Sequence, residues 1–379
     1  MKIVHYFAGR VNPEAGKVGS VHVLYYLSMA QVEKGHVVEW YLAPRKENYE
    51  NRGDGVKIFD FGRASFFGLI PPISLLLKIL RKRKSIDLVH LHGPFTQENI
   101  LVAIILLFLG VPYIISSHGS FSPGAMQGKY ILKLIYKYMF AIPICNFSKA
   151  VHVHTDRDLL EAREFGVRGK CIVAEHGSDH IWKKPKNTIR TEITSPSLID
   201  SRKFNLLFLG RLDPWHKGLD ILLQALQLLD QTAVHLYLIG PEKKRFEGKL
   251  DELIATLKLE SCVTRLPPVY DIEKKVSWYS SVDLFAHPSR FDVFPIAIYE
   301  ALAAGCPVLV TPGTQADDFV RLYETGFVSD LNPVSLAESI RLALSSPKLM
   351  GTYRKNASTA IKERTWSQAW EKIDAQIPQ

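Results

Sequence analysis

The sequence is poor in cysteine and lacks a long uninterrupted apolar run. Its four cysteines are Cys145, Cys171, Cys262 and Cys306. They are too far apart for a zinc knuckle, and their apolar surroundings favour buried thiols in a reducing compartment. The most apolar stretch, residues 100–116, is interrupted by Gly110 and Pro112, which predicts a buried helix followed by a strand rather than a membrane span. The N-terminus shows no secretory signal, so we expect a cytoplasmic protein.

The sequence also lacks an even distribution of charge. Residues 1–185 contain 24 lysines and arginines against 15 aspartates and glutamates, whereas residues 186–379 contain 23 of each. The whole net charge of +9 therefore belongs to the first half. A basic half indicates an anionic partner such as membrane lipid, an acidic glycan or nucleic acid. No recognition helix or base-stacking motif accompanies the charge, so we expect no nucleic acid.

Short β-branched runs alternate with longer helical patterns along the chain. Seven strand-like runs precede a polar stretch at 184–203, and four more follow it. This alternation is typical of parallel sheets covered on both faces. Because 379 residues are too many for one ordinary core, we predict an α/β protein with two Rossmann-like, doubly wound domains, 1–185 and 186–363. They are expected to face each other across a ligand-binding cleft, with a helix over 364–379 packing back on the first domain.

Two carboxylates lie in the apolar segment 289–310. Pro295 is placed near the start of a helix, so Asp292 precedes that helix and Glu300 lies about a turn and a half inside it. The residues three and four positions from Glu300 are all apolar, and a buried carboxylate is costly unless something hydrogen-bonds to it. Glu300 therefore indicates either a buried ion pair with a lysine or arginine or a contact with ligand hydroxyl groups.

Two cations follow a strand in the segment 206–226. The strand pattern ends at Gly210, Arg211 follows at once, and Lys217 lies just before a helix that begins near Gly218. Cations at the carboxyl end of a strand, beside a helix N-terminus, are typical of a site for a diphosphate. The alternative is a pair of solvated surface cations.

Histidine pairs lie on two of the predicted strands, His90 with His92 and His152 with His154. Alternate residues of a strand share a face, so each pair indicates either a metal site or histidines that line a strand end. Further ligands are not evident, and we expect no metal. The segment "TDRD" (155–158) contains the D-x-D of metal-dependent transferases, but it precedes an amphipathic helix, which favours N-cap and first-turn acids.

A basic cluster ends the apolar segment 64–85. Its cations are Lys78, Arg81, Lys82, Arg83 and Lys84. Such a segment either lies in the interface of an anionic membrane or forms an ordinary amphipathic helix with a solvated basic end. Both interpretations stay open. Membrane contact would make the protein peripheral at the inner face of the cytoplasmic membrane.

Two segments resemble the hallmark stretches of the retaining glycosyltransferases of family four, which have the GT-B fold. They are "GRLDPWHKGLDILLQA" and "HPSRFDVFPIAIYEALAAGCPVLVT". Weaker matches are "NPEAGKVGSVHVL", "SSHGSFSP" and "TWSQAWEKI", so the resemblance covers most of the chain in order. It implies an acceptor-side first domain and a second domain that binds a UDP- or GDP-sugar. The implied reaction transfers the sugar to a hydroxyl of a glycan or glycolipid, with retention of anomeric configuration and without a metal ion or other cofactor.

The resemblance also implies roles for individual residues. Arg211 and Lys217 would hold the donor diphosphate, Glu300 would bind the ribose hydroxyls, and Asp292 would contact hydroxyls of the transferred sugar. His118 would lie beside that sugar. The other residues expected to contact the donor are Gly16, Gly19, Phe294 and Pro295.

Three positions depart from the family pattern. Asp292 stands where glutamate is usual, Lys17 replaces the second of two adjacent glycines, and "PGTQADDF" stands where a Gly-Gly pair and a glutamate are frequent. The first departure bears on the identity of the sugar. Two alternatives stay open: a metal-dependent hydrolase that uses the H-x-H histidines, and a non-catalytic binding or scaffold protein of the same fold, which the departures at Asp292 and "TQADDF" favour.

Overall fold

The computed structural model of the protein describes residues 1–7, 19–43, 55–62, 71–95, 97–126, 130–181 and 197–378. The chain divides into two compact units. Unit 1 comprises Met1–Gly177 and Thr365–Gln379, and unit 2 comprises Ser178–Arg364.

Unit 1 is built on a seven-stranded parallel sheet. Its strands are β1 (Lys2–Phe7), β2 (Val37–Leu42), β3 (Val56–Asp60), β4 (Leu88–His92), β5 (Tyr113–Ser116), β6 (Ala150–Val153) and β7 (Cys171–Val173). Their order is β3-β2-β1-β4-β5-β6-β7, so all seven strand-like runs of the first half are confirmed. In a parallel sheet, the carboxyl ends of all the strands lie along one edge.

Helices connect these strands and cover both faces of the sheet. They are α1 (Ser20–Glu33), α2 (Ile73–Lys82), α3 (Gln97–Leu109), α4 (Tyr130–Tyr136), α5 (Ile142–Asn146) and α6 (Asp156–Phe165). Consecutive residues of β2 enter different apolar clusters, Tyr41 on one side of the sheet and Trp40 on the other. The predicted helix and strand over 100–116 are confirmed, and Gly110 separates them with a φ of +65°.

Unit 2 is built on a six-stranded parallel sheet. Its strands are β8 (Phe204–Leu209), β9 (Val234–Ile239), β10 (Val263–Leu266), β11 (Leu284–His287), β12 (Val308–Val310) and β13 (Gly326–Val328), in the order β10-β9-β8-β11-β12-β13. The sequence analysis missed β10 and β13. Both are short edge strands, and β10 contains the partly exposed Thr264 and Arg265, which weaken the apolar pattern.

The helices of unit 2 pack on its sheet, and the last helix of the chain returns to unit 1. The helices of unit 2 are α7 (Leu219–Gln227), α8 (Lys249–Thr256), α9 (Ile272–Ser281), α10 (Ile296–Ala303), α11 (Asp317–Tyr323), α12 (Pro333–Ser345) and α13 (Pro347–Ala360). The last helix, α14 (Trp366–Asp374), packs on α1 and β7. Within the described ranges, no helix is both long and apolar enough to cross a membrane.

Candidate donor site at the switch point of unit 2

The sheet of unit 2 has one point where the direction of its strand order reverses, between β8 and β11. These neighbouring strands pair in parallel, and the chain leaves β8 toward β9 on one side and β11 toward β12 on the other. Ligands of open α/β sheets bind beyond the carboxyl ends of the strands at such a point. Two loops begin there: the Lys217 loop (residues 210–218) after β8 and the Asp292 loop (residues 288–295) after β11.

An ion pair joins the two loops. The Lys217 ammonium lies 2.5 Å from Oδ2 of Asp292, and His287 Nε2 lies 3.0 Å from the same oxygen. Burial by itself raises the pKa of Asp292, but the Lys217 charge and the His287 hydrogen bond outweigh burial and hold that pKa well below its usual range. Asp292 is therefore ionised at neutral pH and neutralises a lysine that is only 8% exposed.

Further bonds tie the two loops together. The His216 ring lies 2.8 Å from the carbonyl oxygen of Phe291 through Nε2, and its own carbonyl accepts from the Arg290 backbone at 3.0 Å. The Arg290 guanidinium donates two 2.8 Å hydrogen bonds to the carboxylate of Asp220 in the first turn of α7. This bidentate pair fixes the side chains of Arg290 and Asp220 and so connects the Asp292 loop to α7. Lys217 is therefore held between two loops that are bonded to each other.

Two glycines allow the backbones of these loops to approach closely. Gly218 has a φ of +64°, and a Cβ there would lie 1.9 Å from the carbonyl oxygen of Pro288. A Cβ on Gly313 would lie 2.2 Å from the Arg290 carbonyl oxygen, and the Gly313 carbonyl accepts from the Asp292 backbone at 2.7 Å. Gly313 belongs to the departing segment "PGTQADDF", so this segment still supports the Asp292 loop.

Arg211 lies at the same strand end, directly after β8. The residue is partly exposed and, among the described residues, forms no ion pair. Burial lowers the pKa of Lys243, and the nearby positive charge of Arg211 lowers it further. Arg211 therefore adds to the Lys217 loop a positive charge that is paired with no described carboxylate, which suits an anionic ligand.

Glu300 lies in α10 and has partners of its own. Lys275 Nζ lies 3.1 Å from both carboxylate oxygens, Tyr279 donates to Oε2 at 3.2 Å, and His180 Nε2 lies 3.3 Å from Oε1. The Glu300 side chain is only 2% exposed. The sequence allowed either a buried ion pair or a contact with ligand hydroxyl groups for Glu300, and in the structure Glu300 forms the buried ion pair.

The remaining residues expected at the donor site lie in different segments of the two units. Pro295 directly precedes α10, and Phe294 stacks on Tyr299 with ring centroids 4.4 Å apart. Gly19 precedes α1 with a φ of +64°. Gly16, like Lys17, lies outside the described residues.

His118 belongs to unit 1, where it joins a chain of histidine rings. Its Nε2 lies 2.9 Å from Nδ1 of His92, whose Nε2 lies 3.0 Å from Nδ1 of His5. The His5 ring in turn meets Oε1 of Gln31 at 2.7 Å. Burial lowers the pKa of His118 and His92 well below the usual range, and the neighbouring histidines lower both further, so these rings are neutral at pH 7.

The H-x-H pairs lie at the carboxyl ends of β4 and β6, but the two histidines of each pair contact different residues. His90 and His152 both lie within hydrogen-bond distance of the Ser116 hydroxyl, at 2.7 and 2.8 Å. His92 joins the chain to His118, and His154 lies beside Asp158. The expectation for "TDRD" is confirmed, since Thr155 caps α6 by accepting from the Asp158 backbone.

Sequence reasoning missed four residues that complete these groups. His287 supports Asp292, and His180, Lys275 and Tyr279 surround Glu300. Lys275 and Tyr279 are four positions apart on α9 and therefore share one helix face, which was the available signal. Nothing in the sequence indicates that this face meets α10.

Comparison with known proteins agrees with this architecture. The Anabaena protein Alr3699/HepE, solved in complex with UDP and glucose, superposes with a TM-score of 0.77 at 20% sequence identity, covering 99% of this chain and 98% of that chain. Sucrose-phosphate synthase from Thermosynechococcus elongatus superposes with a TM-score of 0.74 at 17% identity, covering 99% and 97%. The fold is that of the GT-B glycosyltransferases.

Family models match both halves of the chain. "Glycosyltransferase Family 4" matches residues 18–180 and "Glycosyl transferases group 1" matches residues 189–360. The chain belongs to the family-four glycosyltransferases, which confirms the resemblance.

Curated relatives are similar over part of their length. The D-inositol 3-phosphate glycosyltransferase of Pseudarthrobacter chlorophenolicus is 32% identical over 126 residues, which is 32% of this chain and 30% of that protein. The phosphatidyl-myo-inositol mannosyltransferase of Mycobacterium tuberculosis is 29% identical over 174 residues, or 43% of each chain. This chain thus spans less than half the length of these two relatives.

Proposed function

We propose that the protein transfers a sugar from a nucleotide-sugar donor to a hydroxyl group of a glycan or glycolipid, with retention of anomeric configuration. The observation that carries the proposal is the pair of Lys217 and Asp292 at the switch point of unit 2, joined to the N-terminus of α7. An ammonium and a helix N-terminus favour a diphosphate, and a carboxylate beside them favours sugar hydroxyls.

In the proposed reaction, the bond between the anomeric carbon and the diphosphate oxygen breaks, and its electron pair stays on the diphosphate. Lys217, Arg211 and the first turn of α7 stabilise that charge. The acceptor oxygen forms the new bond on the same face, and its proton passes to a phosphate oxygen of the donor. Charge stabilisation of this kind is usually the largest contribution to catalysis, and with two protein cations no metal ion is required.

Asp292 has a second part in this proposal. In the structure it neutralises Lys217, and a bound diphosphate would take over that role. Asp292 would then accept hydrogen bonds from hydroxyls of the transferred sugar. For Glu300 to bind the ribose diol, a ribose hydroxyl must replace one of its contacts with Lys275, Tyr279 or His180. The donor contacts that the family resemblance implies for His118, Gly16, Gly19, Phe294 and Pro295 belong to the same proposal.

The membrane is the proposed location of a lipid-linked acceptor. Helix α2 exposes Ile73, Leu77 and Leu80, while Leu75 and Ile79 are buried. Its last turn and the following turn are basic. Because anionic lipid attracts such a helix, vesicles that contain anionic lipid should bind the protein more strongly than neutral vesicles in flotation. Equal binding to both kinds of vesicle would mean that the basic residues of α2 do not attract the protein to anionic lipid.

The experiment is a thermal-shift panel of UDP- and GDP-sugars followed by donor hydrolysis and acceptor screening. A donor that binds only the folded state raises its melting temperature. Lys217→Ala should lower turnover about a hundredfold or more, the effect of losing one oxyanion donor. Lys249→Ala, which removes an exposed lysine of α8, is the matched control. Normal turnover in Lys217→Ala would remove Lys217 from the mechanism, and a panel without any shift or hydrolysis would favour the non-catalytic alternative.

A further inference from the structure

Three histidines lie at the carboxyl ends of three consecutive strands of unit 1. His118 follows β5, His154 follows β6 and His176 follows β7, and these strands are neighbours in the sheet. One ligand nitrogen from each ring lies within 4.8 Å of the other two. The rings of His154 and His176 are buried, with centroids 4.2 Å apart. The fold thus brings together three imidazoles that are 22 to 58 positions apart in the chain.

Each of the three rings is held from outside the group. His118 Nε2 lies 2.9 Å from His92 Nδ1, so Nδ1 is the nitrogen of His118 that faces a ligand. His154 Nδ1 lies 3.5 Å from Oδ2 of Asp158. The His176 ring stacks on Trp366 of α14 with centroids 5.4 Å apart and planes at 23°. A carboxylate beside a metal-binding histidine orients the ring and raises its basicity in known sites, and Asp158 stands in that position to His154.

Asp158 supplies a second, independent observation. The residue is fully buried, and its Oδ2 accepts from the Ser117 hydroxyl at 2.8 Å and from the His154 backbone at 2.9 Å. Among the described residues, no lysine or arginine pairs with Asp158, and its Oδ1 has no hydrogen-bond partner. A buried carboxylate without a cation is costly, so a positive charge beside the three histidines would stabilise unit 1.

We propose that His118, His154 and His176 bind one divalent transition-metal ion, zinc by preference, with Asp158 as the carboxylate behind His154. Three histidines and an open position for water form a known zinc arrangement. Imidazole nitrogens select zinc, cobalt, nickel or copper over magnesium and calcium. The site lies within unit 1 and needs no assumption about the transfer reaction, although His118 belongs to both proposals.

The test is metal binding by the untagged full chain. After dialysis against zinc and then against metal-free buffer, elemental analysis should find about one zinc ion per chain, the stoichiometry of a single three-histidine site. Cobalt should compete for the site and give the visible absorption of a tetrahedral nitrogen-ligated ion, which reports ligand geometry directly. Zinc should also raise the melting temperature of the protein.

Variants separate this site from adventitious binding. The double variant His154→Gln, His176→Gln should lose the bound zinc and the cobalt spectrum, whereas His235→Gln, which alters a half-buried histidine of unit 2, should keep both. Asp158→Asn should weaken zinc binding about 10- to 100-fold, as loss of a carboxylate behind a metal-bound histidine does. Circular dichroism checks that each variant is folded.

Two outcomes would overturn the proposal. The first is a wild-type chain that retains no zinc and gives no cobalt spectrum. The second is equal binding by wild type and the folded double variant, which would place the ion elsewhere. If the double variant does not fold, the cobalt spectrum of the wild type decides, because octahedral oxygen ligation gives a weak spectrum that contradicts the three-histidine assignment.

Discussion

The two units have the same kind of parallel sheet but bury different polar groups. Unit 1 buries histidines: His5, His22, His90, His92, His152, His154 and His176. Unit 2 buries two ion pairs, Lys217 with Asp292 and Lys275 with Glu300, and places one buried histidine beside each carboxylate, His287 and His180. Most of these groups lie at or near the carboxyl ends of strands.

The two units show that sheet topology determines where polar residues collect, whereas the residue type determines which ligand they suit. Strand order reverses beside β8 in unit 2 and beside β1 in unit 1, and polar residues collect there in both. Imidazoles whose pKa is lowered by burial, such as His5, His90 and His92, leave lone pairs for protons, hydroxyls or metal ions. Ammonium and carboxylate groups stay charged through the physiological range and suit a charged ligand. The same sheet edge therefore supports two kinds of chemistry.

The largest effect should follow from breaking the ion pair of Glu300. Lys275→Met leaves the Glu300 carboxylate buried without a cation, which should cost about 3–5 kcal/mol of unfolding free energy. Urea unfolding measures the loss. Lys274→Met, at the exposed neighbouring position of α9, is the control and should change little.

The double variant Lys275→Met, Glu300→Gln sharpens this test. Removing both charges should restore most of the stability, because a neutral buried pair carries no uncompensated charge. A double variant as unstable as Lys275→Met would mean that Lys275 acts through packing rather than charge. Loss of donor binding in a stable double variant would support the ribose role of Glu300.

A smaller effect is expected on acidification, which should destabilise unit 1 more than unit 2. Burial lowers the pKa of His5 from 6.5 to about 4, although the hydrogen bond with Gln31 opposes the shift. Between these values the unfolded chain binds a proton that the folded chain does not, so stability falls as pH falls from 6.5 toward 4. His5 alone should account for about 3 kcal/mol.

Hydrogen exchange of β1 amides between pH 7 and pH 4, with a chelator present, measures this loss. His5→Asn should reduce the pH dependence by about the His5 contribution, because other buried histidines of unit 1 remain, and His36→Asn, at a half-buried position in the same unit, should change it less. If β1 and β8 lose protection equally, the buried histidines do not distinguish the two units.

The smallest effect should come from magnesium or manganese. Arg211 and Lys217 already supply the positive charge proposed for the diphosphate, so adding or omitting either ion should leave turnover unchanged. Steady-state rates in metal-depleted buffer check this. A strict requirement for either ion would contradict the proposed roles of both cations.

The fold could be predicted further than the site. The apolar runs located eleven strands, and the two missed strands lie at the sheet edges, where apolar pattern is weakest. Spacing also placed Lys217 before α7 and Asp292 before α10. The partners of Glu300 could not be predicted, because they depend on which face of α9 meets α10. The histidine group at β5, β6 and β7 could not be predicted for a similar reason: it takes one residue from each strand end, and local sequence does not determine the order of strands in a sheet.

The bond between Lys217 and Asp292 has a consequence for the turnover cycle of the proposed enzyme. A vacant site without an internal counter-ion would attract any passing phosphate and would be slow to release nucleotide. Here the carboxylate can return to the ammonium as the product diphosphate departs. Ejection of the spent nucleotide would thereby be assisted by the protein itself, and a neutral residue at position 292 should favour product inhibition.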